Sequence, residues 1–176
     1  MLPWSAEFAG RIDEHGISSE LLRGNPFGDP HERPLWVYLP PGYDGEPDRH
    51  YPSVYVIQGY SGHLAMWRNR TAYRQPFPET ADAMFARGEA PPAIVVYVDA
   101  WTKYGGSQFV DSPGTGRYHS YDAAVVAFGL GQAPSGLLAG DGQRHAVLIQ
   151  HWPHLAPPCA THGADSRAPA KRITAR

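Results

Sequence analysis

Apolar and polar positions alternate along Leu35-Trp36-Val37-Tyr38-Leu39, a period-two pattern that predicts a β-strand. Pro40-Pro41-Gly42-Tyr43 ends it, because proline supplies no ladder donor. Upstream, Gly16-Ile17-Ser18-Ser19-Glu20-Leu21-Leu22 reads as the strand's hairpin partner, joined to it by a long turn over Gly24-Asn25-Pro26-Phe27-Gly28-Asp29-Pro30. Ser53 to Gln58 is a nearly continuous apolar run, the pattern of a strand covered on both faces, and it stops at Gly59. Pro91-Pro92 opens a second such run, Ala93 to Asp99. Between the two, Glu79 to Arg87 predicts a helix, with Thr80 as a candidate cap, Ala83, Met84 and Ala86 on one side and Gly88 just past the end. Two apolar β-branched strands separated by a helix make a βαβ unit with parallel pairing, so the class is α/β. Beyond it, Gly105-Gly106-Ser107 and Ser112 to Gly116 read as irregular loop, and Tyr121 to Phe128 as the start of another helix.

After Phe128 the periodicity fades. Residues 129–176 hold scattered Ala, Gly, Pro, Arg and His, with one short apolar run at Ala146-Val147-Leu148-Ile149. The expected division is an ordered stretch 1–128 and a divergent, irregular tail 129–176. The 176 residues suffice for one domain with a sizeable core. The formal charge of −2, with acids and bases interspersed, resembles neither a nucleic-acid-binding stripe nor a polybasic membrane patch. The single cysteine, Cys159, excludes an internal disulfide framework. With no secretory signal pattern at the start and no apolar run of spanning length, a soluble, cytoplasmic location is expected.

Several blocks taken together resemble a known family. Gly24-Asn25-Pro26, Arg33-Pro34-Leu35, Val37-Tyr38-Leu39-Pro40-Pro41-Gly42-Tyr43, Tyr51-Pro52-Ser53-Val54-Tyr55, Gln58-Gly59-Tyr60-Ser61-Gly62, Pro91-Pro92-Ala93-Ile94-Val95-Val96 and Gly105-Gly106-Ser107-Gln108 are similar to bacterial esterases of the esterase D and enterochelin-esterase-like branch of the α/β hydrolases. The resemblance covers roughly residues 15–128. It implies an incomplete α/β-hydrolase fold, a mostly parallel sheet with an N-terminal antiparallel hairpin, and a serine carboxylesterase acting on a small ester without metal or organic cofactor.

Acyl transfer needs a nucleophile on a tight strand-to-helix turn, a histidine base, an acid that orients it, and N–H donors for the tetrahedral oxyanion. By the resemblance, the oxyanion loop is Gln58 to Gly62, where Gly59 permits the turn and the Tyr60 N–H is the donor; Ser61, Gly62 and Asp99 then border the substrate pocket. A plain βα turn that needs glycine explains the same residues. The nucleophile has no counterpart, since no Gly-x-Ser-x-Gly occurs in the 176 residues. No catalytic residue is therefore assigned. The family pattern is lost just before the elbow is due, which suggests a truncated or frameshifted, inactive esterase. The alternative is a non-catalytic module that binds a small molecule or peptide on the same fold.

Two other groupings have simpler accounts. Ser61, His63 and Asp99 follow strand ends and can be drawn as an improvised triad, but no strained elbow supports it. His145, His151, His154, Cys159 and His162 gather in the tail, yet Pro153 and Pro157-Pro158 break any regular ligand spacing, so no metal site is assigned. Trp67, Tyr73, Trp101, Tyr104 and Tyr118 suit a pocket lining or a core roof equally. Without a further strand beside it, Ser53 to Gln58 is expected to be an exposed apolar edge prone to self-association.

Overall fold

The structure, a computed structural model, describes residues 6–131 and 140–149. Five strands form one sheet: β1 (Arg11–Ser18), β2 (Glu32–Leu39), β3 (Tyr51–Ile57), β4 (Ile94–Val98) and, last in sequence, β9 (Gly140–Ile149), in the order β1-β2-β4-β3-β9. Helix α1 (Phe77–Ala86) crosses between β3 and β4, and α2 (Tyr118–Gly131) precedes β9. Two short hairpins, β5–β6 (Trp101–Thr102 with Gly105–Gly106) and β7–β8 (Asp111–Ser112 with Gly116–Arg117), fill the stretch expected to be irregular.

The sheet is evenly mixed, not mostly parallel. β1 runs antiparallel to β2 from Arg11 opposite Leu39 to Ser18 opposite Glu32, and β2 runs antiparallel to β4. β3 is parallel to β4 and to β9, so the predicted βαβ unit is present. β9 corrects two expectations. The run Ala146 to Ile149 lies within a strand, and that strand pairs with Ser53 to Ile57, so β3 is interior and the open edge expected to drive self-association is covered.

Each central strand is buried on both faces because it sends alternate side chains to two cores. Leu35, Val37, Tyr55, Ile57, Ile94, Val96 and Val98 face one core, closed by Tyr118, Tyr121 and Val125 of α2. Tyr38, Val56, Val95 and Tyr97 face the other, where Leu64 and Trp67 of a 3₁₀ turn (Leu64–Arg68) and Phe77 and Phe85 of α1 cover them. Each fully buried Val, Leu or Ile among them contributes about 1.5–3 kcal/mol on burial.

β1 lies nearer the N-terminus than its predicted position over Gly16–Leu22. It tolerates Arg11, Asp13, Glu14 and His15 because an outer strand keeps one edge in water. Leu22 instead sits in a turn and is fully buried. Helix α1 begins two residues earlier than the pattern predicts, with Pro76 rather than Thr80 at its cap. Pro78 fits in that first turn, where a backbone N–H would lack an intrahelical partner anyway.

Candidate active-site rim

The carboxyl ends of β3 and β4 and the amino end of β2 meet at one rim, since Leu35 is paired with Val98 and Val56 with Tyr97. The loop Gln58 to Gly62 leaves β3 there. Gln58 is buried, and with its amide oriented to suit its neighbours it donates to Val98 O (2.8 Å) and accepts from Ala100 N (3.2 Å), tying the ends of β3 and β4 together. Gly62 N–H donates to Gly59 O (3.0 Å), closing a tight turn around Tyr60 and Ser61.

Hairpin β5–β6 packs against that turn. Gly106 N–H donates to Tyr60 O at 2.7 Å, Tyr60 Oη donates to Tyr104 O at 3.1 Å, and Ser107 N–H donates to Ala100 O at 3.1 Å. Tyr60, Gly106, Ser107 and Gln108 border a cleft of about 330 Å³ that is also lined by Phe27 and Tyr104, packed edge to face with ring centroids 4.9 Å apart.

A second depression, about 870 Å³ and wide open, lies on the other side of the rim between Trp36, His63, Leu64, Trp101 and Lys103. Below it sits the principal buried polar network. Arg33 Nη1 donates to Asp99 Oδ2 (3.2 Å) and Trp101 O (2.7 Å), and Nη2 to Tyr118 Oη (2.8 Å). The Tyr118 hydroxyl in turn donates to Asp29 Oδ2 (3.3 Å), and Asp29 Oδ1 accepts the Lys103 N–H (3.1 Å). Asn25 shapes the loop that presents Asp29, donating to Leu22 O and Asp29 O while accepting from Phe27 N and Asp29 N.

Burial raises the Asp99 carboxyl above its usual range, and the Arg33 charge with the Trp101 and Leu64 backbone N–H groups opposes that shift. Burial likewise pushes the Tyr118 phenol up to about 12. Both groups hold loops in place: with Arg33 they join β2, the β4–β5 connection, α2 and the Asn25–Asp29 loop.

The residues singled out in the sequence fall at this rim in different roles. Gly59 and Tyr60 form the turn, and the Tyr60 side chain is exposed. Ser61 is exposed and Gly62 is buried against Met66 and Gln58. Asp99 borders the larger depression, but its carboxylate is engaged by Arg33. His63 packs edge-on against Trp101 with ring centroids 5.6 Å apart, and among the described residues no hydrogen bond links Ser61, His63 and Asp99. The improvised triad is therefore not assembled. Of the aromatic set, Trp67 and Tyr118 are core, Trp101 borders the larger depression, and Tyr73 and Tyr104 are exposed. His145 lies in β9, and the other four tail residues fall outside the described ones. Among the described residues no cluster of His, Cys, Asp or Glu suits a metal ion, and no helix is long and apolar enough to cross a membrane.

Sequence reading missed Arg33 as the organiser of the rim. Its signals were its place in the Arg33-Pro34-Leu35 block and an arginine in phase with Leu35 and Val37, where a strand would otherwise place an apolar residue.

No protein-family model and no curated protein matches the chain. Solved structures do. A ferulic acid esterase is 20% identical, matched over 81% of this chain and 50% of its own, with a TM-score of 0.56. The S-formylglutathione hydrolase of Agrobacterium tumefaciens is 17% identical, matched over 82% of this chain and 50% of its own, with a TM-score of 0.55. A ferulic acid esterase of the anaerobic fungus Anaeromyces mucronatus is 17% identical, matched over 85% and 52%, with a TM-score of 0.50. The chain spans about half the length of these structures. In its described residues the protein has the α/β-hydrolase-like fold of these esterases, as the resemblance in its sequence implied.

Proposed function

We propose that this chain carries the oxyanion-loop side of a carboxylesterase site, with Gly59 and Tyr60 as the oxyanion turn, and binds a small ester or its acid without hydrolysing it. The observation that carries the reading is the turn itself. Its backbone is fastened at Tyr60 O by Gly106 and at Gly59 O by Gly62, and it borders a cleft walled by Phe27 and Tyr104. Among the described residues, no acceptor takes the Tyr60 N–H. A donor held rigid beside a partly apolar cleft stabilises negative charge on a carbonyl oxygen, because no reorganisation is needed when the charge arrives. An aromatic wall accommodates the rest of an ester.

An attacking group is the missing part. Covalent catalysis requires a serine activated by a neighbouring base, and among the described residues no base is hydrogen-bonded to Ser61, the serine on the turn. Purified protein should therefore show no p-nitrophenyl acetate turnover above buffer and no labelling by a fluorophosphonate probe, detected by intact mass. A single probe adduct, lost on replacing one serine, would refute the non-catalytic reading and identify the nucleophile.

A further inference from the structure

We infer that Gly106 is a positioning residue for the turn after β3: it holds the Tyr60 carbonyl, in the peptide that follows the Tyr60 N–H, from outside the loop and so keeps in place the turn that presents this N–H. This rests on the proposed role of the turn, and it assigns a task to hairpin β5–β6 (Trp101–Gly106), whose residues lie more than forty positions away in sequence.

Three observations converge on Gly106. Its N–H donates to Tyr60 O at 2.7 Å, the shortest backbone–backbone hydrogen bond at the rim among the described residues, which directs that carbonyl into the hairpin. A side chain at 106 cannot coexist with that arrangement. A Cβ there would lie 2.9 Å from Tyr60 O, 3.0 Å from Tyr60 Cα and 3.1 Å from Gly59 O, all backbone atoms with no rotamer to yield. Its neighbour Gly105 has φ +119°, a conformation other residues rarely adopt, and a Cβ at 105 would approach Tyr60 at 3.3 Å. The outer tether, Tyr60 Oη to Tyr104 O, closes the clamp from the solvent side. The two glycines thus serve close backbone approach as well as turn geometry, and the object approached is the turn that carries the candidate donor.

The test is ¹H–¹⁵N NMR on the full chain, with phenylphosphonate as a tetrahedral-anion probe. In the free protein, Gly106→Ala should move the Tyr60 amide resonance and speed exchange of the Gly62 amide, which is bonded to Gly59 O, by at least about tenfold. That is the ratio expected when roughly 1.4 kcal/mol of local stability is lost. Gly114→Ala, in the β7–β8 turn where a Cβ would meet only Ser112 Oγ at 3.6 Å, should do neither. Equal effects from the two variants would overturn the assignment.

Where Gly106→Ala does not fold, Tyr60→Phe decides. It removes only the outer tether at an exposed position and should speed Gly62 exchange; unchanged exchange would count against the clamp. The probe reports separately on the proposed function. Wild type should show a saturable Tyr60 amide shift with phenylphosphonate, weakened about ten- to hundredfold in Gly106→Ala, the range for one hydrogen bond to a charged acceptor. No shift in wild type would refute the oxyanion role while the free-protein comparison still judged the clamp.

Discussion

Arg33→Leu should lower the stability of the folded chain by about 3–5 kcal/mol at pH 7, because it leaves the Asp99 carboxylate buried without its counter-charge. Arg33 and Asp99 are 5% and 6% exposed, and their side chains meet at 3.2 Å. The guanidinium also holds Trp101 O and Tyr118 Oη, so its loss releases the β4–β5 connection and the start of α2 together.

The loss should depend on pH in a definite direction. Burial already raises the Asp99 carboxyl above 3.8, and Arg33 is the largest influence opposing that shift. Without Arg33 the folded-state pKa rises further. Folding then favours the protonated acid, so stability is retained below the unfolded pKa and falls away as pH rises through the folded one. The deficit relative to wild type should shrink on acidification towards pH 4, measured by chemical denaturation across that range. The double variant Arg33→Leu with Asp99→Leu should recover much of the loss, since an apolar pair removes the stranded charge. A deficit that is flat with pH and strictly additive in the double variant would mean that Arg33 acts by packing alone.

Asp82→Ala should cost about 2–4 kcal/mol, chiefly by detaching the segment before β1. The buried carboxylate, on α1, accepts Ala9 N–H through Oδ2 (3.0 Å) and both Gly10 N–H (2.8 Å) and the Tyr38 hydroxyl (2.8 Å) through Oδ1. It therefore joins α1, β2 and the chain leading into β1. Burial and the Asp82 bond both raise the Tyr38 phenol, which keeps the hydroxyl a donor. Asp82→Asn should fall between wild type and alanine: Oδ1 keeps two partners while the amide nitrogen faces the Ala9 N–H, donor against donor. Hydrogen exchange at Ala9 and Gly10 should accelerate in both variants. Combining Asp82→Ala with Tyr38→Phe should cost less than the sum of the two, and strict additivity would show that the hydroxyl and carboxylate do not act as a unit.

The elements that were legible from residue order are those whose cause is local. The alternation of Leu35 to Leu39 and the apolar runs of β3 and β4 report directly which faces are covered, and the stretch between them carries a helical period. These positions place the turn after β3 at the end of the sheet, and the family blocks within residues 15–128 led to the fold that solved esterases share. Boundaries were less legible where terminal residues tolerate many conformations. Residue order points to Gly16–Leu22 for β1 because the strand's charged residues hide its period, which an outer strand has little need of. β9 is not legible in residue order, since a strand within a biased composition is recognised by the neighbour it pairs with, and Ser53 to Ile57 lie over ninety residues earlier.

By itself, the sequence determined the class of fold, the βαβ core and the identity of the glycine turn, because each follows from short-range pattern and backbone sterics. Only the tertiary structure decided that Arg33 meets Asp99 across 66 positions, that Asp82 reaches back to Gly10, and that Gly106 grips Tyr60. Those contacts bind residues whose types are individually commonplace. What makes them structural is the desolvation of a charge or the close approach of two backbones, and both exist only once distant strands have been brought to the same rim.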